Sequence, residues 1–372
     1  MTSSTGILTI DLAAIQANWR FVRGRLRSGA SCAAVVKANA YGVGALEVAR
    51  ALYRADCRHF FVVTLEEGLQ LRAHLPVDAM LYVLGGARAG TEAKFADADL
   101  IPVLYSPHAV SRWLGFCESL QRPLPCVIKI DSGMTRLGLG ADEFEEFIHS
   151  CGEYRFLNPV VFMSHLACAD DPSHPLNQSQ LVYFTQSFQR IKAIYPAIKA
   201  SLANSSGTFL GAAYHFDMVR IGAALYGINP QSCEPNPLRA SIQLKLPIQQ
   251  IRNIHTVAGV GYGAEATVEP GMRLAVVAGG YADGIHRTLG AVPKGQIDGI
   301  EVRAIGRLSM DSCVFDISAA SVAMPQYIEV INDQLTLDRL MESNNTLGYE
   351  VLTSLGRRYT RVYLSENGAL DD

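Results

Sequence analysis

Residues 59–84 read HFFVVTLEEGLQLRAHLPVDAMLYVL, two short apolar runs flanking one amphipathic segment. The runs 59–64 and 79–84 are rich in β-branched and aromatic side chains, the composition of strands covered on both faces. Residues 65–75 between them carry an apolar stripe with the charges off it, which predicts a surface helix. The unit repeats in both directions. Strand-like runs stand at 32–37, 100–104, 126–130, 160–165, 200–204 and 218–222, and helical stripes at 45–55, 142–150 and 178–195. Eight strands recur every ~27 residues, the length of one strand, one helix and two loops. This predicts an α/β fold, a (β/α)8 TIM-type barrel. A doubly wound sheet competes, but eight repeats without a nucleotide-binding fingerprint favour closure.

Past residue 230 the texture changes, with Pro230, Pro235 and Pro237 crowded together. Runs at 242–252, 273–278, 301–305, 313–317 and 327–331 are strand-like and separated by Gly- and Pro-rich turns. The barrel is expected over residues 12–232, and a mostly β domain over 233–372. The apolar run 7–11 is not needed to close the barrel, so residues 1–11 are assigned to the second domain.

The 372-residue chain is 49% hydrophobic and 18% charged, ample for two cores. Lys and Arg total 32 against 35 Asp and Glu, a net charge of −3 without a basic run. No nucleic-acid or anionic-membrane partner is expected. The eight cysteines form no C-x-x-C pair and mostly lie in apolar runs, the habit of reduced thiols in the cytoplasm. His165 and Cys168 have no second pair at ligand spacing, so no metal site is expected. No run approaches the ~20 apolar residues of a membrane span. Asp11 breaks the apolar start where a signal peptide would need continuity.

Barrels of this kind gather their reactive groups where the strands end. Lys37 follows Ala33-Ala34-Val35-Val36 and should reach that mouth. Desolvation there lowers an amine's pKa and makes it a Schiff-base nucleophile; a solvated lysine past a strand is the plainer reading. The small residues of Lys37-Ala38-Asn39-Ala40-Tyr41-Gly42 leave room for a planar ligand beside one phenol. Arg136, in Asp131-Ser132-Gly133-Met134-Thr135-Arg136-Leu137-Gly138, is a fork for a carboxylate or phenolate, or else a loop ion pair. His165 ends the sixth strand as an acid or base, or as a structural hydrogen-bonder. Asn204-Ser205-Ser206-Gly207 offers hydroxyls and N–H groups where barrels hold phosphate, although many such loops are only turns. Arg220, inside Met218-Val219-Arg220-Ile221-Gly222-Ala223, needs a partner if buried. A Schiff-base lysine, a phosphate cradle and an inward arginine are the parts of a pyridoxal phosphate site.

With these parts the chain resembles the alanine racemases, fold-type III pyridoxal-phosphate enzymes built of a barrel and a β domain, over nearly its whole length. The resemblance rests on the segments 35–42, 131–138 and 218–222, then Gly261-Tyr262-Gly263, Gly280-Tyr281-Ala282-Asp283-Gly284 and Ser309-Met310-Asp311. It implies that Lys37 anchors the cofactor and is one of two catalytic bases. Tyr262 is the other, delivered by the partner subunit of a homodimer with shared active sites. Tyr41, Ser205, Gly222 and Ala223 fall at the family's phosphate contacts, with Asn204 among the cofactor binders. Arg220 matches the arginine facing the pyridine nitrogen, and His165 the residue hydrogen-bonded behind it. Arg136 and the backbone of Met310 match the substrate-carboxylate binders, and Tyr281 a narrowing of the access corridor. Lys129 matches a lysine that is carbamylated in some members and steadies Arg136. Near the C-terminus the family often sets a tyrosine against the phosphate. Here Leu355-Gly356-Arg357-Arg358-Tyr359 has arginines at that point, and the role is assigned to Tyr359.

The implied reaction interconverts L- and D-alanine by proton transfer at Cα between two bases, supplying D-alanine for peptidoglycan. The alternatives are a racemase of broader specificity, for serine or larger amino acids, and a fold-type III amino-acid decarboxylase. The decarboxylase would want an acid facing the pyridine nitrogen where Arg220 stands. A carrier without catalysis would have no use for the second domain.

Overall fold

Eight parallel strands build the larger sheet of the computed structural model, which describes residues 5–285, 294–342 and 347–365. In chain order they are Ser31–Val35, His59–Val62, Met80–Val83, Leu100–Leu104, Leu124–Lys129, Leu157–Met163, Lys199–Ser201 and Met218–Ile221. Each pairs with the next, and the eighth returns to the first with Ser31 opposite Met218. Only the seam between the seventh and eighth lacks a regular ladder. There Asp217 N donates to Ala200 O at 3.0 Å and Arg220 N to Ala203 O at 3.0 Å. Side chains finish the stitch: Ala200 N donates to Asp217 Oδ2 at 2.8 Å, and Ser201 Oγ to Met218 O at 2.8 Å. The expected (β/α)8 barrel is present.

Alternate strand residues, including Ala33, Val35, Phe61, Tyr82, Ile101, Val103, Val161 and Met163, meet in its core. Phe61 and Tyr82 stack there with ring centroids 4.4 Å apart. The helix expected over 65–75 is Leu65–Arg72, opened by a capping box between Thr64 and Glu67. It ends at Arg72, whose guanidinium donates to the carbonyls of Ala79 and Leu75 beyond the helix. Seven of the eight strands stop one to three residues short of the sequence reading, the first and seventh among them. Val36, at φ −114° and ψ 24°, leaves the β region before Lys37. The seventh strand ends at Ser201, because Asn204 already bonds forward to Gly207 and Thr208.

The second sheet is antiparallel apart from one pair and has the order Arg273–Ala278, Ser312–Asp316, Ile300–Ala304, Lys294–Ile297, Tyr327–Ile331, Ile242–Asn253, Ile7–Asp11, Thr360–Leu364. The 12-residue strand Ile242–Asn253 pairs with Tyr327–Ile331 at one end and Arg273–Ala278 at the other, closing six strands into a ring. Leu8, Ile10, Leu244, Leu246, Ala275, Val277, Phe315 and Ile328 are buried in this unit. Sequence reading missed Lys294–Ile297, whose KGQI carries no apolar alternation, and the hairpin Ala258–Val260 with Ala266–Val268. By contacts the chain divides into Ile15–Leu225 with Asn229–Leu238, and Met1–Ala14 with Tyr226–Ile228 and Arg239–Asp372. Among the described residues no helix is long and apolar enough to cross a membrane.

Candidate active site

Lys37 stands on a turn of unusual backbone. Ala38, Asn39, Ala40 and Tyr41 follow it with φ of 52°, 54°, 53° and 56°, four consecutive left-handed residues. That conformation costs an L-residue about 1–2 kcal/mol, so something must hold it. Ala40 N donates to Val36 O at 2.9 Å and Gly42 N to Ala38 O at 2.8 Å. Asn39 Oδ1 accepts from Ala45 N at 2.9 Å, and Glu67 Oε1 from Ala38 N at 2.6 Å. Burial first, and then the charge of Arg136, lowers the Lys37 amine from its ordinary value, while Glu67 pulls the other way.

The first, seventh and eighth strands end around a small cradle. Ser205 Oγ accepts from Gly222 N at 3.0 Å and Ala224 N at 3.2 Å, which leaves its hydroxyl proton to donate elsewhere. A Cβ on Gly222 would lie 2.3 Å from Tyr41 Oη, so glycine is what admits the phenol. Asn204 Oδ1 accepts from Gly207 N at 2.8 Å and shapes the loop; Ala223 opens the next 3-10 turn.

Arg220 is buried, and its guanidinium is tied down by neutral acceptors. Nη1 donates to Ser201 Oγ at 2.5 Å, and Nη2 to Ser164 O at 2.7 Å and Leu202 O at 3.3 Å. Burial lowers it to about 10, still charged at neutral pH. Nη2 also lies 3.2 Å from His165 Nδ1. A guanidinium only donates, so this nitrogen carries the lone pair and the neutral ring keeps its proton on Nε2. Burial, then Arg220, holds His165 well below its usual range.

The Arg136 loop is organised by Asp131, whose carboxylate accepts from the N–H of Gly133, Met134 and Arg136. Burial alone would raise this carboxyl, and those bonds bring it below the ordinary value. A Cβ on Gly138 would meet Asp131 N at 2.4 Å, which fixes glycine at φ 144° where the loop returns. Lys129 is buried below it; burial, then Arg220 and Arg136, lowers its amine to about 8. Among the described residues no carboxylate pairs with Lys37, Lys129, Arg136 or Arg220.

Sequence reading missed the supports of this cluster. Gln180, fully buried on the helix Pro175–Ile194, donates to Ser132 Oγ and His165 O and accepts from Ala167 N. Ser132 Oγ is 2.7 Å from Ser164 Oγ, so one glutamine ties the Arg136 loop to the sixth strand's end. A polar residue in a helix stripe was the signal available, and helical spacing alone does not say what it meets.

In the β unit, Tyr262 stands on the loop of the hairpin between Ala258–Val260 and Ala266–Val268, flanked by Gly261 and Gly263 at φ 70° and 76°. It is 71% exposed, Met310 53% and Tyr281 42%. Arg358 joins the last two segments, bonding Asp283 at 2.7 Å through two nitrogens and Asp311 at 2.7 Å through the third. Tyr359 corrects an expectation. It is 3% exposed, packed in the interior of its own unit near Gly6, and its hydroxyl has no partner among the described residues. Packing within the unit claims its ring, while Arg357 and Arg358 beside it are exposed. Tyr359→Phe is expected to leave activity and cofactor affinity unchanged and to raise Tm by about 2 °C, since an unmet buried hydroxyl costs about 1–3 kcal/mol. Weaker cofactor binding by the variant would return Tyr359 to the site.

Four cations without a direct ion pair among the described residues, the Ser205 hydroxyl with its loop, and a lysine amine lowered by burial fit a phosphorylated, carbonyl-bearing cofactor and a carboxylate substrate. The fold and site define a pyridoxal-phosphate-dependent barrel enzyme. Comparison with known proteins makes it specific. The family model "Alanine racemase, N-terminal domain" matches residues 10–230, and "Alanine racemase, C-terminal domain" matches 241–363. The alanine racemase of Rhodospirillum rubrum is 45% identical over 97% of this chain and 96% of its own. A catabolic alanine racemase of Mesorhizobium japonicum is 41% identical over 96% and 93%. The crystal structure of Bartonella henselae alanine racemase, with covalently bound pyridoxal phosphate, superposes with a TM-score of 0.90 at 37% identity, covering 96% of this chain and 99% of that one. The chain belongs to the alanine racemase family, whose members use pyridoxal phosphate to interconvert L- and D-alanine.

Proposed function

We propose that the chain racemises alanine as a homodimer with shared active sites, each β unit lending Tyr262 and Met310 to the partner's barrel. One observation carries this reading: Tyr262, Met310 and Tyr281, the β-unit residues matched to the family's site, are all solvent-exposed, at 71%, 53% and 42%. Large exposed apolar side chains suit a covered surface.

Pyridoxal phosphate, when bound, supplies a carbonyl that condenses with amines and a ring that withdraws electrons from Cα. Lys37 Nζ moves the α-proton on one face, and Tyr262 Oη on the other. A phenol is a poor base at neutral pH. Arg220 keeps its proton, so it would offer the cofactor's ring nitrogen no acid, which would restrain electron withdrawal and disfavour decarboxylation. Arg136 and the Met310 N–H hold the substrate carboxylate. Tyr41, Ser205, Gly222 and Ala223 would hold phosphate on the loop shaped by Asn204, and Tyr281 would narrow the approach.

Lys129, lowered to about 8, is neutral often enough to add carbon dioxide. An N–C bond forms, one proton leaves, and the carbamate anion stands between Arg136 and Arg220 to fix the former. The location is the cytoplasm, in keeping with eight free thiols, and the product serves peptidoglycan.

Circular dichroism after adding L-alanine tests the shared site. Optical activity should decay, and the rate per chain should fall on dilution below the dimer dissociation constant. Constant specific activity in a preparation shown by sedimentation to be monomeric would sink the proposal.

A further inference from the structure

We infer that Glu67 is a positioning residue of the active site: its carboxylate ties the left-handed turn behind Lys37 to the helix Leu65–Arg72, and so fixes where the lysine's amine stands. The inference rests on Lys37 being the cofactor anchor and base. Glu67 Oε2 accepts from Val63 N at 2.8 Å and Thr64 N at 3.1 Å, while Thr64 Oγ1 accepts from Glu67 N at 3.2 Å. Those bonds complete the helix start. Capping leaves Oε1 unused, and Oε1 reaches from the end of the second barrel strand to the first, accepting from Ala38 N at 2.6 Å. Ala38 directly follows Lys37 and is the first left-handed residue, so this bond holds the strained backbone at the point where it counts.

The same carboxylate is the anion acting on Lys37. Facing it are Arg136 from the loop after the fifth strand, Lys129 at that strand's end and His165 after the sixth. Glu67 stabilises the lysine's ammonium form against these groups. Its removal makes the amine lose its proton at lower pH, so activity that needs neutral Lys37 persists further into acid.

Glutamine separates the two duties. Its single carbonyl oxygen stays with Val63 and Thr64, as a capping box allows, and its NH2 faces Ala38 N–H without bonding it. In the holoenzyme, Glu67→Gln should keep its Tm and its bound pyridoxal phosphate. Its kcat for alanine should fall about tenfold, because small misplacement of a reacting group is costly. The acid limb of the kcat profile should move down by about half a pH unit. Loss of cofactor to added hydroxylamine, followed by absorbance, should be several-fold faster. Glu66→Gln, which removes a charge from the same helical turn, should change none of these, and Glu67→Ala should lower Tm as well. A Gln variant with the parent's acid limb and cofactor-loss rate overturns the inference, as does one that loses Tm and activity together like the Ala variant. The reading of Lys37 fails separately: it falls if Lys37→Ala retains the cofactor's visible band and turnover, whatever Glu67 variants do.

Discussion

Lys37→Ala is expected to fold normally, to lack the visible absorbance of covalently held cofactor, and to lose at least about 10⁴ in turnover. Folding survives because the Lys37 turn is held by other groups. The N–H groups of Val36, Ala40 and Gly42 bond backbone carbonyls, and Ala38 N–H bonds Glu67. Among the described residues the lysine's amine makes no hydrogen bond or ion pair, and the backbone there accepts an alanine. Two functions vanish at once. On the proposed assignment the substitution removes the group that condenses with the cofactor and one of the two bases at Cα. Lys129 does not replace it: that amine is buried at the end of the fifth strand, and the loss of the Lys37 cation raises its pKa, leaving it more often protonated. An absorbance spectrum of the purified variant and a circular-dichroism trace with L-alanine check both halves. Wild-type turnover in a protein lacking Lys37 would refute the assignment of both roles.

The barrel was legible because its information is local. Each strand–helix unit carries its own apolar run and stripe, and eight copies make the period visible even where individual ends are off by two or three residues. The positions of Lys37, Arg136, His165, Ser205 and Arg220 were legible for the same reason: each lies past, or in, a strand whose end the period locates. What sequence could not supply was long-range. Glu67 reads as a helix-start acid, and only the fold brings its second oxygen 2.6 Å from Ala38 N. Gln180 reads as one polar residue in a helix, yet it bonds Ser132, 48 positions away. The left-handed run after Lys37 was hidden because Ala, Asn and Tyr do not announce positive φ as glycine does. In the β unit the ring depends on Ile242–Asn253 serving two neighbours along its length, and no local pattern encodes that. Tyr359 shows the opposite failure. An alignment slot next to two arginines suggested a ligand contact, but apolar packing had already claimed the ring for the core.

Mixing two inactive variants is expected to restore activity from nothing to about a quarter of the wild-type value per chain. Lys37 lies in the part matched as the N-terminal domain and Tyr262 in the part matched as the C-terminal domain. If each site takes its lysine from one subunit and its tyrosine from the other, a two-fold dimer has two such sites. Lys37→Ala and Tyr262→Phe homodimers each lack one base at both sites and cannot racemise, since each face of Cα needs its own proton carrier. After subunit exchange, half of the dimers at equal mixing are mixed. In a mixed dimer one site combines both lesions, and the other combines the intact lysine of the Tyr262→Phe chain with the intact tyrosine of the Lys37→Ala chain. One good site in two, in half of the dimers, gives about one quarter. Were both bases contributed by a single chain, every site in every dimer would carry one lesion and mixing would recover nothing. Exchange is verified by tagging one variant and recovering the mixed species, and racemisation is then followed by circular dichroism. Mixed dimers present but inactive would place Lys37 and Tyr262 in the same chain's site and would dissolve the shared-site proposal.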